Sequence, residues 1–173
     1  MSDIEENTKL LNPEFYTAFE PKTQTRFLVK LTDKEGKDVI PTWLIKEIAR
    51  PKVQWSIVNK SWTWLPITIK TYDPIVPSAA QMFYAYMMEK EPDGPGLFDI
   101  TINVLGPVGD TVEKWEIKDA RFSQIDFGSF DWAKYPADRK SKIDYVNLCR
   151  YYSGSDMVEI TAVITFDKAE LLF

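Results

Sequence analysis

The stretch VEKWEIKDARFSQIDFGSF, Val112 to Phe130, starts as an alternating strand and loses its beat twice. Trp115 and Ile117 stand two apart and share a face, Ala120 and Phe122 are out of phase with them, and Ile125 and Phe127 shift phase again. Side chains of a strand alternate with a period of two, so each slip requires a bulge, a bend or a turn. Bends are therefore predicted at Lys118 to Ala120 and at Ser123 to Gln124. They let consecutive parts of one segment serve two sheets, as the corners of a β-sandwich do.

The neighbouring segments keep a cleaner rhythm. In LFDITINVLG, Phe98, Ile100, Ile102 and Val104 share one face and Asp99, Thr101 and Asn103 the other. The terminal MVEITAVITFDKAELLF sets Val158, Ile160, Ala162, Ile164 and Phe166 against Glu159, Thr161 and Thr165. RFLVKLT puts Phe27, Val29 and Leu31 on one side of a half-buried strand, and DKEGKD with Gly36 turns the chain after it. Between Val39 and Val58, Pro41 and Pro51 interrupt an apolar pattern; prolines donate no ladder hydrogen bond, so two strands with edge or bulge positions are expected. Trp62, Trp64 and PITIKTYDP read as one further strand.

The period changes once. SAAQMFYAYMMEKE carries Ala79, Met82, Phe83, Tyr86 and Met87 at helical spacing, with Ser78 and Gln81 three apart as a capping box and Pro92 as a stop. A helix over about 78–91 follows, on the order of 20 Å long. Residues 1–24 show no sustained period and read as an N-terminal arm. Residues 25–173 read as a single domain, within which 133–156 carries a basic patch and an amphipathic piece compatible with a short helix or a strand. Many strands around one helix predict a mainly β (α+β) fold, an antiparallel β-sandwich or small barrel with a flanking α-helix.

Composition narrows the chemistry. The chain has 173 residues, 45% of them hydrophobic, enough for a sizeable core. It contains no histidine, which removes Ser-His-Asp and Cys-His nucleophiles and His-containing zinc sites. Cys149 is the single cysteine, so no internal disulfide forms. No stretch approaches the roughly 20 apolar residues of a membrane span, and the acidic start lacks the pattern of a signal peptide. The formal charge of −5 disfavours tight DNA binding, which needs clustered Lys and Arg.

The motif matches are weak. Gly106 and Gly109 lack the Lys-Ser/Thr of a phosphate loop and suit a turn better. Asp126 to Gly128 spells the kinase metal motif without any of its companions. No catalytic, cofactor-binding or metal site is expected. Aromatic residues, 14% of the chain, are the conspicuous excess, suited to a core, a subunit interface or a sugar-stacking platform. On the helix, Met82, Phe83, Tyr86 and Met87, with Met88, cover more than one core contact needs, which marks a candidate subunit-interface face.

FEPKTQTRFLVKL, WLIKEIARPKV, ITIKTYDPIVPSAAQ, DITINVLGPVGDTVEKWEIKDARFSQIDFGSFDW and VEITAVITFDKAELLF, taken in order, resemble the tail tube proteins of contractile-tailed bacteriophages. The likeness covers Phe19 to Asp131 and Val158 to the end, and 133–156 departs from it as an insertion for which the family offers no role. The resemblance implies a subunit whose inner sheet joins those of its neighbours into a ring-wide β-barrel, six copies to a ring, a fold similar to that of the type VI secretion tube protein. It implies rings stacked into a tube inside a contractile sheath, located in the tail of a virion assembled in the host cytoplasm. The implied partners are further copies of the chain, the sheath protein, baseplate or initiator and terminator proteins, and genome DNA in transit. A channel for DNA must be wet and must not hold phosphates, so Asp99, Thr101, Asn103, Glu159, Thr161 and Thr165 are the expected lumen-facing positions. The arm and the turn at Asp33 to Asp38 are the expected contacts to the next ring. The alternatives are a tube initiator or terminator of the same fold, or a monomeric carbohydrate- or receptor-binding sandwich.

Overall fold

The computed structural model describes residues 22–90, 94, 96–130 and 157–172. Most of the arm, the 133–156 segment and Cys149 lie outside the described residues. The strands are β1 (Phe27–Asp33), β2 (Asp38–Ile40), β3 (Ile45–Ile48), β4 (Lys52–Ser56), β5 (Ser61–Leu65), β6 (Ile67–Tyr72), β7 (Phe98–Leu105), β8 (Thr111–Asp126), β9 (Glu159–Thr165) and β10 (Lys168–Leu171). A single α-helix among the described residues, α1 (Ala79–Lys90), follows β6. The fold is mainly β and every strand pairing is antiparallel.

The prolines divide the chain more finely than expected. Val39 to Val58 holds three strands rather than two, with a 3-10 turn at Thr42–Leu44 after Pro41 and β4 beginning after Pro51. Pro66 likewise splits the expected single strand into β5 and β6, which belong to different sheets. A residue without an N–H ends a ladder here instead of being carried at its edge.

The main sheet runs β2-β1-β7-β8-β9-β6-β3, with β10 also on β8. β8 has 16 residues, which straight would reach roughly 50 Å. That exceeds the roughly 40 Å diameter of a domain this size. Two mid-strand bulges solve the problem, a further irregularity at Val112 lying at the start of the strand. Opposite Phe98 and Ile100 stand Ala120 and Ile117, so β8 inserts one extra residue around Lys118 and Asp119, where Asp119 adopts φ 54°. Opposite Ile164 and Val163 stand Phe122 and Gln124, so Ser123 is the second extra residue. Both predicted bends are present.

The bends hand β8 from one sheet to another. Its first half pairs with β7 on one edge and β10 on the other, while Arg121 to Asp126 pair with β9. One half-sheet is thus β2-β1-β7-β8-β10 and the other β8-β9-β6-β3. Their inward faces share one core: Val29 and Leu31, Phe98, Ile100 and Ile102, Ile117 and Ala120, Ile67 and Ile69, and Ile160, Ala162 and Ile164. Phe122, between the bulges, lies 4.5 Å from Phe98 and 5.3 Å from Phe83 between ring centroids, which docks α1 on the bend.

β8 ends at an Asx turn in which Gly128 N–H donates to Asp126 Oδ1 at 2.9 Å. Gly128 has φ 80°, and a Cβ there would stand 2.8 Å from the Glu159 carbonyl oxygen. Gly128→Ala therefore combines left-handed strain with a backbone clash. It is expected to destabilise the fold by about 1–3 kcal/mol, read as a lower urea midpoint at unchanged slope.

Candidate assembly site

The six polar strand positions all lie on outward faces, but in two groups. Asp99, Thr101 and Asn103 sit on β7, opposite Thr32, Lys30 and Leu28 of β1, with Thr101 and Asn103 also opposite Glu116 and Lys114 of β8. Glu159, Thr161 and Thr165 sit on β9, where Tyr72 and Lys70 of β6 face Glu159 and Thr161, and Asp126 and Arg121 of β8 face Thr161 and Thr165. The two half-sheets turn their inner faces to one core, so these outward faces look away from it on different sides.

Both faces match their charges. Asp99 accepts from Lys34 at 2.8 Å, Lys118 at 3.2 Å and the Asp119 backbone N–H at 3.2 Å. Burial pushes the Asp99 carboxyl up, but these hydrogen bonds outweigh it and hold the group below its ordinary value. Lys34 also meets Asp119 at 2.6 Å, so the turn after β1 is tied down on its own subunit at the first bulge of β8. On the other face Lys46 pairs with Glu159 and Lys70 donates to Glu47 at 2.8 Å. Lysines neutralised by neighbouring carboxylates are poor at collecting phosphates.

On α1 the candidate interface residues divide by burial. Phe83 and Tyr86 belong to the subunit's own core, and Met82 packs against it. Burial pushes the Tyr86 phenol up to about 12, so it stays neutral and its O–H donates to the Leu97 carbonyl at 3.4 Å. Met87, with Tyr84 and Met88, is left exposed. Helical spacing gathered these residues into one broad stripe, whereas only part of it is free for a neighbour.

A further exposed apolar feature had no place in the sequence reading. β4 and β5 form a separate two-stranded hairpin in register from Lys52↔Leu65 to Ser56↔Ser61. Trp55 and Trp62 meet edge to face at 5.2 Å yet both are exposed, and at the tip Ile57 and Val58 are 83% and 91% exposed. The available signal was ordinary alternation: Val53, Trp55 and Ile57 along one strand and Trp62 and Trp64 along the next, set against Gln54, Ser56, Ser61 and Thr63, with Asn59-Lys60 between them.

At the base of this hairpin lies a carboxylate that the sequence reading also missed. Glu113 faces inward on β8 opposite Val104 and is 6% exposed. It accepts from Lys22 Nζ at 2.5 Å and Trp115 Nε1 at 2.7 Å, and Arg50 Nε lies 3.2 Å away. Burial pushes its pKa up, but the Lys22 and Trp115 hydrogen bonds and the Arg50 charge outweigh it, leaving the group below its ordinary 4.5. A depressed folded pKa stabilises above the unfolded value and is lost only as pH falls through the folded one, so this cluster outlasts ordinary glutamates in acid. Its sequence signal was a charge at the same parity as Trp115 and Ile117.

Among the described residues no group of acidic or cysteine side chains is placed to hold a metal ion, and no helix is long and apolar enough to cross a membrane. No family model and no curated sequence matches the chain. Solved structures do. A chain of the sheath/tube terminator of the PVC extracellular contractile injection system, in its extended state, superposes with a TM-score of 0.59 at 13% identity, covering 89% of this chain and 98% of that one. A chain of the PVC sheath-tube complex gives 0.55 at 13% identity over 92% and 97%. The chain has the tube-protein fold. Hcp1 from E. coli EAEC 042 shares it at 6% identity, with a TM-score of 0.53 over 86% of this chain and 91% of that one. At such identities the likeness is one of fold. In this tube fold, the bent β8, the antiparallel sheet and the flanking α1 are the parts that the sequence pattern had already outlined.

Proposed function

We propose that the chain is the major subunit of a phage-type tail tube: copies close into six-membered rings, and the rings stack into a hollow tube inside a contractile sheath. The observation that carries this reading is the open four-stranded half-sheet β8-β9-β6-β3. Among the described residues, β3 and the Arg121 to Asp126 part of β8 each pair on one side only. An open edge invites another strand, and two complementary edges on one chain make a head-to-tail contact that closes into a ring if the rotation allows. The likeness to a chain of a baseplate described as 6-fold symmetrised supports the ring number.

In this ring the β9 group, Glu159, Thr161 and Thr165, lines the lumen beside Lys70 and Lys46, whose charges are matched by Glu47 and Glu159. Such a wall is wet but holds no excess cation, so genome DNA passes without sticking. Asp99, Thr101 and Asn103 then face outward, toward the sheath. Axial contacts fall to the β4-β5 hairpin and the N-terminal arm, with Met87 of α1 in a lateral contact. The tethering of Lys34 to Asp99 and Asp119 makes the turn after β1 a weaker axial candidate than the hairpin. The protein belongs, on this reading, to the virion tail, with sheath, baseplate, initiator and terminator proteins as partners.

Electron microscopy of the purified full chain tests the proposal. Long hollow tubes are the expected result. Rings that never stack point instead to an initiator or terminator, and persistent monomers that bind glycans to a receptor-binding sandwich.

A further inference from the structure

Glu113 holds together three parts of the chain that are distant in sequence. Lys22 is at the root of the N-terminal arm, a few residues before β1. Arg50 directly precedes Pro51 and the start of β4, so it is the root of the hairpin. Trp115 lies on β8 itself, opposite Leu171 of β10. The carboxylate thus ties Lys22 and the root of the hairpin to the same inward-facing position of the main sheet.

From this geometry we infer that Glu113 is the positioning residue that sets the direction in which the β4-β5 hairpin leaves the sheet, with Lys22 as its second tether, so that ring stacking depends on one buried carboxylate. The inference rests on the tube reading for its consequence in stacking, though the tethering itself does not.

The energetics separate this role from a purely structural one. Glu113 is nearly buried, whereas the Lys22 and Arg50 side chains are 47% and 55% exposed. Removing the carboxylate leaves two cations that water can solvate, not an unpaired charge sealed in the core. The sheet retains its ladder and its apolar interior, while both roots lose the charged acceptor that fixes them.

The test uses the full-length protein with Glu113→Ala and Glu113→Gln, and a Lys22→Met/Arg50→Met double variant in case the first pair folds poorly. Amide exchange is measured at residues 22–26 and 50–53 and in β7 and β9, and tube yield is measured by sedimentation and electron microscopy. Loss of the Lys22 hydrogen bond and of the Arg50 ion pair is expected to speed exchange at both roots about tenfold or more, with β7 and β9 unchanged. Tube yield should fall in step at temperatures well below unfolding. Glu113→Gln, which keeps an acceptor oxygen for Trp115, should fall between the wild type and Glu113→Ala. Unchanged exchange at the two roots in Glu113→Ala or in the double variant overturns the inference, as does slowed assembly that merely tracks a lowered melting temperature. Failure of the wild type to form tubes would overturn the tube reading instead, leaving the exchange result to decide the tethering.

Discussion

Ile57→Asp/Val58→Asp is expected to abolish tubes while leaving the subunit folded. The two side chains stand at the hairpin tip almost fully exposed, so the isolated subunit gains little from them. Burying each against a neighbouring ring contributes about 1.5–3 kcal/mol, and the substitution replaces that gain with the penalty of desolvating two carboxylates. The effect recurs at every copy in a ring. The expected readout is a melting temperature within a degree or two of wild type, together with complete loss of the pelletable tube fraction. Tubes of normal length from the double variant would remove the hairpin from the axial contact.

Phe98→Ala carries the largest expected effect on the fold itself. Phe98 is fully buried on β7 opposite Ala120, and its ring lies 4.5 Å from Phe122 and 6.1 Å from Tyr86. The substitution leaves a cavity at the point where α1 docks on the bend of β8. A loss of about 3–5 kcal/mol is expected, lowering the melting temperature on the order of 10 °C. Equilibrium urea unfolding followed by tryptophan fluorescence measures it. A loss below about 1 kcal/mol would mean that α1 closes over the gap, and that the aromatic cluster is not what fastens the helix.

These two substitutions mark the border between what the sequence made legible and what it did not. Regular alternation in Phe98 to Val104 and Ile160 to Phe166 identified core strands because one face meets oil and the other water. The slips in β8 were legible for the same reason: Ile117, Ala120, Phe122 and Ile125 remain inward only if one residue is skipped twice. The helix showed itself through spacing and its capping serine, whose Oγ accepts from the Gln81 backbone N–H at 3.3 Å. The hairpin escaped notice because Val53 and Trp55, and Trp62 and Trp64, alternate with polar residues just as core strands do, and alternation does not tell whether the apolar face is covered. Asp99, Thr101 and Asn103 on β7 and Glu159, Thr161 and Thr165 on β9 read alike in the sequence, since a polar face records contact with water and not the direction in which it looks. Glu113 is non-local in the strongest sense, its partners Lys22 and Arg50 lying 91 and 63 positions earlier, and only the folded chain brings them together.

The bulges of β8 also give the strand something like a reading frame. Between Ala120 and Phe122 the inside and outside positions are set by the extra residue at Lys118 and Asp119, and beyond Ser123 by the second one. Deleting one residue in this stretch exchanges inside for outside until the next bulge restores the phase, just as a single-base loss scrambles codons until a compensating gain. Insertions and deletions along Arg121 to Asp126 should thus be tolerated in compensating pairs and rejected singly. The strand that joins the two half-sheets is open to changes of side chain but closed to changes of length.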